Sequence, residues 1–223
     1  MSSSGVLVFT RTTAYRHDSI PDGVELVRRI CSQTGTAVLH TEDPAIFESG
    51  DLARFDTVVW LSTSGEVLTP AGRTAFEQYI RDGGGFVGIH SATSTEYDWP
   101  FYRRLVGAAF ASHPPVQPGI VEVVDPTHPS TAHLPAAWRW VDEWYDFQEP
   151  VTDVHILLTV DESSYEGGLT GNPHPLAWCH ERFGGRAWYT ALGHPREAYT
   201  DPHFAAHIAG GLAWVREGRS VNN

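Results

Sequence analysis

Five side chains that can move a proton or hold an ion fall just beyond short apolar runs: His17, His90, Glu143, Tyr145 and His194. His90 ends the strand-like part of "GGGFVGIHSATS" (residues 83–94). Glycines lead into an apolar run, the chain turns, and small hydroxyl residues follow. In many α/β enzymes such a turn presents a Ser or Cys nucleophile. An imidazole there offers different chemistry: with an ordinary pKa of about 6.5 it can take or give a proton near neutrality, or bind an ion through nitrogen.

Ligands of open parallel sheets bind beyond the carboxyl ends of the strands. His17 lies in the loop after "GVLVFT" (5–10), His90 ends "GFVGIH" (85–90), Glu143 and Tyr145 sit in "DEWY", and His194 follows "AWYTALG". Each histidine alone reads as a hydrogen-bonded structural residue; together the five predict one site at one sheet edge. His113, in "SHPP", is a second candidate from the same half of the chain, although it and His128 precede prolines, where a turn role competes. His203 and His207 share a helix face but lack the glutamate of a metalloprotease motif, so packing is the expected role. His40 and His155 lie in or beside strands and carry no assignment.

The elements that position these residues follow from periodicity. Apolar runs at 5–10, 36–41, 56–62 and 85–90 read as buried strands. Ser19 is placed to cap a helix ending near Gly35, and Thr69–Pro70 starts a second helix, by cap and by proline in the first turn. "FYRRLVGAAF" reads as a short helix. Strands then dominate, at 119–125, 138–147, 154–160, 176–181 and 186–192, before a closing helix capped by Asp201. Alternating strands and helices imply right-handed crossovers, hence a three-layer α/β sandwich with a mainly parallel sheet and extra strands in the second half. The 223 residues suit one domain over 1–223, with tails at 1–4 and 218–223, because no linker-like stretch divides them.

Composition excludes several partners. A formal net charge of −12 disfavours nucleic acid and anionic membrane surfaces. No run approaches the roughly 18 apolar residues of a membrane span, and "MSSSGVLVFT" lacks a basic leader, so a cytoplasmic protein is expected. Cys31 and Cys179 are isolated, giving neither a disulfide framework nor a zinc-ribbon spacing.

The segments "YRHDSI", "LTPAGRTAFEQYIRDGGGFVGIHSA", "DPTHPS", "DEWYDF", "DESSYEGG", "HPLAWCHERFGGRAWYTALGH" and "YTDPHFAAHIAGGLAWV" resemble the ThuA-like (trehalose-utilisation) family of the class I glutamine amidotransferase-like superfamily, in the family's order. The resemblance implies a flavodoxin-like fold with its active-site region at the turn after the central strand. Amidotransferases place a Cys nucleophile there; here it is His90, and neither Cys31, in the first helix, nor Cys179, inside a late strand, can replace it. An imidazole cannot form the glutaminase thioester, so glutaminase activity is not expected. The resemblance implies instead a small-molecule carbohydrate substrate, a sugar or 3-keto-disaccharide. Superfamily relatives that pair through sheet edges or helices suggest a homodimer.

Three functions follow. The first is a sugar-converting enzyme, with His90 and His17 as acid and base and Glu143 as base or orienter. Tyr145, His194, Tyr199 and His113 would contact substrate, and Trp99 or Trp144 would stack on a pyranose. The second is a metal-dependent hydrolase or lyase in which His17, His90 and His194, with Glu143 nearby, hold a divalent ion such as zinc. It ranks lower because the ligands are scattered along the chain. The third is a sugar-binding module without catalysis, which retention of His, Glu and Tyr at strand ends disfavours.

Overall fold

The computed structural model describes residues 5–218. The tails expected at 1–4 and 218–223 lie outside that range, apart from Gly218, which caps the last helix.

Four all-apolar or nearly apolar segments form the centre of the sheet: β1 (Gly5–Phe9), β3 (Phe55–Leu61), β4 (Gly85–Ile89) and β11 (Ala187–Thr190), each buried throughout. Burial on both faces is why they lack polar alternation. With edge strand β2 (Val38–Thr41) they pair in parallel, in the order β2-β1-β3-β4-β11. The sheet continues antiparallel through β10 (His174–His180), β9 (His155–Asp161), β6 (Gln117–Val123) and β7 (Ala137–Asp142), making nine strands.

Helices cover both faces of the parallel half. On one side Trp60 stacks on Phe76 of α2 (Pro70–Arg81) and Tyr102 of α3 (Pro100–Val106), with ring centroids 5.3 and 4.5 Å apart. The next residue, Leu61, faces the other side, against Gly23 of α1 (Ile20–Ser32), and α4 (Pro202–Glu217) packs there on Trp188 through Gly211. The three-layer α/β sandwich with added strands is therefore the observed fold.

Thr69 Oγ1 accepts from Gly72 N at 3.0 Å, and Asp201 accepts from His203 N and Phe204 N, so both predicted caps form. Ser19 does not cap α1: its hydroxyl donates to the Gly193 carbonyl at 3.3 Å, tying that helix to a distant loop. The helix expected over "FYRRLVGAAF" stops at Val106. Gly107 adopts φ +93°, where a side chain would also strike the Trp178 indole, and the chain moves into a two-strand ribbon of β5 (Phe110–Ser112) and β8 (Asp146–Phe147). The single strand expected over 138–147 breaks after Asp142 for a specific reason. The Asp142 carboxylate accepts the Glu143 N–H at 3.0 Å and pulls the next residues out of the sheet.

Candidate functional site

His17 follows β1, His90 follows β4 and His194 follows β11, three parallel strands that end on the same edge. Four antiparallel steps separate β11 from β7, so β7 points the same way and delivers Glu143 to that edge too. Asp142 closes the arrangement. One carboxylate oxygen accepts Glu143 N and His194 N, both at 3.0 Å; the other accepts Gly193 N and Trp140 Nε1, both at 2.9 Å. This fully buried group fixes the two loops that carry Glu143 and His194 relative to each other.

His90 occupies the turn after β4 with φ +53°, a left-handed conformation that a non-glycine residue adopts only when its surroundings impose it. Its Nδ1 lies 2.7 Å from the Ala191 carbonyl. Carbonyls only accept, so Nδ1 carries a hydrogen, and in the neutral ring Nε2 is bare. Around Nε2 stand Tyr145 Oη at 2.9 Å, His17 Nε2 at 3.1 Å and Glu143 Oε2 at 3.4 Å. The other Glu143 oxygen is 3.1 Å from His194 Nδ1 and 3.4 Å from His113 Nε2. The His194 contact has the distance of an ion pair but not the alignment of a hydrogen bond. His17, His90, Glu143 and His194 each offer a ligand atom, and these four atoms lie within 4.8 Å of one another.

Electrostatics set the protonation states. Burial first, and then the neighbouring His90, push His17 down to about 3, so it is neutral at pH 7. Burial alone would raise Glu143, but its contacts with His194 and His90 outweigh this and hold it well below the usual carboxylate range. The Glu143 carboxylate raises His194 against the opposing effect of burial. Burial lifts the Tyr145 phenol far above its ordinary value, so it remains a donor.

A cavity of about 500 Å³ opens beside this cluster. His17, Glu143, Tyr145 and His113 form its inner wall, Ser64, Ser91 and Ser94 add hydroxyls, and Tyr15, Tyr97 and Phe110 add apolar surface. His90 is fully buried behind that wall, and His194 flanks it, partly exposed.

The remaining sequence candidates fall elsewhere. Trp144 is fully buried against Tyr165, and Trp99 is packed among Phe76, Phe101 and Tyr102; both fill the core and neither meets the cavity. Tyr199 is buried and donates to the Gly193 carbonyl at 3.0 Å, which supports the turn before His194. Two participants escape sequence reasoning. Asp142 adjoins Glu143 in "DEWY" and was readable as a paired carboxylate; Tyr15, 67% exposed at the cavity mouth and edge-on to His17, has no such signal. A second group, Asp146, Glu162 and His174, also brings ligand-type atoms together. One oxygen of each carboxylate already accepts N–H groups of residues 169–171, Asp146 Oδ2 is buried without a hydrogen-bond partner, and His174 Nε2 donates to the Tyr145 carbonyl at 2.9 Å.

Neither thiol lines the cavity. Both are buried, and burial pushes Cys179 up to about 12 and raises Cys31. The fold and site thus define a three-layer α/β domain whose turn after β4 holds a histidine, with neither thiol at the cavity. Residues 5–215 match the ThuA family, described as trehalose utilisation, and the chain belongs to that family.

Solved structures agree. A ThuA-like protein from Bacteroides uniformis ATCC 8492 superimposes with a TM-score of 0.82 at 24% identity, covering 96% of this chain and 91% of that one. A ThuA-like protein from Parabacteroides merdae ATCC 43184 gives 0.79 at 21% identity with the same coverage. A GMP synthase protein from Thermoplasma acidophilum gives 0.55 at 11% identity, covering 97% of each chain, and shares the fold alone. No curated protein matches the chain. Among the described residues, no helix is long and apolar enough to cross a membrane.

Proposed function

We propose that this protein is an enzyme that moves protons on a small-molecule carbohydrate, a sugar or 3-keto-disaccharide, at the His–Glu centre beside the cavity. Membership of a family described as trehalose utilisation supports a carbohydrate-related role. The observation that carries the enzymatic reading is that His17, Glu143, Tyr145 and His113 belong at once to the charged cluster and to the wall of a 500 Å³ cavity. Groups that only stabilised the fold would not need to face open space.

The cavity suits a sugar, with hydroxyls from three serines for polar edges and aromatic rings for the apolar face of a pyranose. Glu143, ionised and in contact with several imidazoles, is the base; the phenol of Tyr145, which keeps its hydrogen, is placed to return a proton. The outcome would be hydrolysis, elimination or isomerisation, and the balance between them depends on substrate.

Purified protein incubated with trehalose, 3-keto-trehalose and related glycosides should convert at least one of them. Glu143→Gln and His90→Ala should abolish conversion. Absence of turnover across the panel, or full activity in both variants, would overturn the reading.

A further inference from the structure

The hydrogen count around Glu143 does not close. His90 Nδ1 is committed to the Ala191 carbonyl at 2.7 Å, and His113 Nδ1 to the Pro114 carbonyl at 2.8 Å. In their neutral forms both rings therefore aim bare Nε2 atoms inward, each 3.4 Å from a Glu143 oxygen. His17 Nε2 comes within 3.1 Å of His90 Nε2, and His194 Nδ1 within 3.1 Å of Glu143 without bonding to it. Tyr145 supplies one hydrogen, and His17 and His194 at most one each. Lone pairs outnumber hydrogens, in a place where His90 and His17 are almost wholly buried. Filling the gap with protons alone would gather several imidazolium charges around one carboxylate, out of water.

We propose that His17, His90, Glu143 and His194 bind one divalent transition-metal ion of the zinc class. Bonds of about 2.0–2.2 Å to one ion hold its ligands roughly 3.0–3.6 Å apart. Three neighbouring separations fall in or near that range, 3.1 Å for His17–His90, 3.4 Å from His90 to one Glu143 oxygen and 3.1 Å from His194 to the other, and the four ligand atoms all lie within 4.8 Å of one another, so small rotations would close them on an ion. Three imidazoles and one carboxylate favour zinc, cobalt or nickel over magnesium or calcium, which take oxygen ligands.

Supporting contacts of the kind that orient metal ligands are also in place. The Ala191 carbonyl sets the His90 tautomer, Ser91 Oγ lies 3.4 Å from His17 Nδ1, and Asp142 grips the backbone of both Glu143 and His194. Two of the four ligands, His17 and Glu143, also line the cavity, so the ion would be reached from the substrate side. The inference rests on the same site as the proposed enzyme but not on its reaction.

The test uses untagged full-length protein stripped with a chelator. Zn²⁺ is titrated calorimetrically and Co²⁺ by its visible absorption, which reports coordination number. One ion per chain is expected. A zinc excess of about a hundred times the dissociation constant should raise the melting temperature by roughly 5–10 °C. Glu143→Gln and His194→Ala should each weaken binding at least tenfold, while Glu162→Gln, in the other ligand-rich group, should leave it unchanged. His194 is partly exposed, so its replacement spares the core. Substoichiometric binding, equal affinity in Glu143→Gln and His194→Ala, loss in Glu162→Gln, or Mg²⁺ binding as tight as Zn²⁺ would each overturn the proposal. Zinc binding without sugar turnover would leave it standing and remove the proposed enzyme. Turnover by protein that binds no metal would do the reverse.

Discussion

Replacing Asp142 with asparagine keeps the side chain's size and turns one carboxylate oxygen into a hydrogen-bond donor. Both oxygens of Asp142 are in use: one accepts Glu143 N and His194 N, the other Gly193 N and Trp140 Nε1. Whichever way the amide is turned, two buried N–H groups face an NH2 group. A buried donor left without an acceptor costs about 1–3 kcal/mol. Burial raises the Asp142 carboxyl, opposed by the neighbouring His90 and by these hydrogen bonds, so losing the negative charge returns part of that cost. A net loss of about 2–4 kcal/mol is expected. At about 2–4 °C per kcal/mol for a chain of this length, the melting temperature should fall by roughly 5–15 °C. Circular dichroism melts and urea titrations of the two proteins measure this directly. A melting temperature within about 2 °C of the parent would show that Asp142 does not join the two loops energetically, and the account of how Glu143 and His194 are held would fail with it.

Acid should destabilise the metal-free protein well above the carboxylate range. Burial leads the causes that lower His17 and His207 to about 3 and His128 and His180 to about 4. Between these values and about 6.5 the unfolded chain binds more protons than the folded one. Stability therefore falls as pH drops, by up to about 1.4 kcal/mol per pH unit for each group. His194, raised by Glu143, works in the opposite direction: its contribution is full below its unfolded pKa and lost as pH rises through its folded one. Melting temperatures in chelator should decline from pH 7 to pH 5, and a flat profile would contradict the buried neutral histidines. His90→Gly should be less destabilising than His90→Ala by about 1 kcal/mol, because glycine accepts φ +53° without strain; equal urea midpoints would refute imposed strain at that turn. Gly107→Ala should cost about 2 kcal/mol or more, since it combines φ +93° with a clash on Trp178, and should shift tryptophan emission; an unchanged spectrum and midpoint would count against it.

Much of the fold was legible because its central strands are short, mostly apolar runs, "GVLVF", "FDTVVWL" and "GFVGI", too short for helices and rich in β-branched and aromatic residues. The meeting of the histidines was legible for a related reason: strand ends can be read locally, and the parallel order carries His17, His90 and His194 to one edge. Contacts between distant segments were not legible. Nothing in "DEWY" says that Asp142 will bond to residues 193 and 194 and break its strand, because that depends on how the antiparallel half comes round to meet the turn after β11. The tryptophans misled for the opposite reason. An indole can stack on a sugar or fill a core, and only burial decides; Trp144 has no exposed surface at all.

The position of His90 also limits what it can do. A nucleophile at a strand-ending turn needs a free approach to its attacking atom. Here Nε2 is enclosed by Tyr145, His17 and Glu143, and the residue has no exposed surface. A covalent intermediate on this imidazole would have to displace all three neighbours. The strained turn at His90 points Nε2 inward, toward the other members of the cluster. Substrate would meet Glu143, His17, His113 and Tyr145 first. That makes His90 the buried hub of the centre, against which Tyr145, His17 and Glu143 are placed.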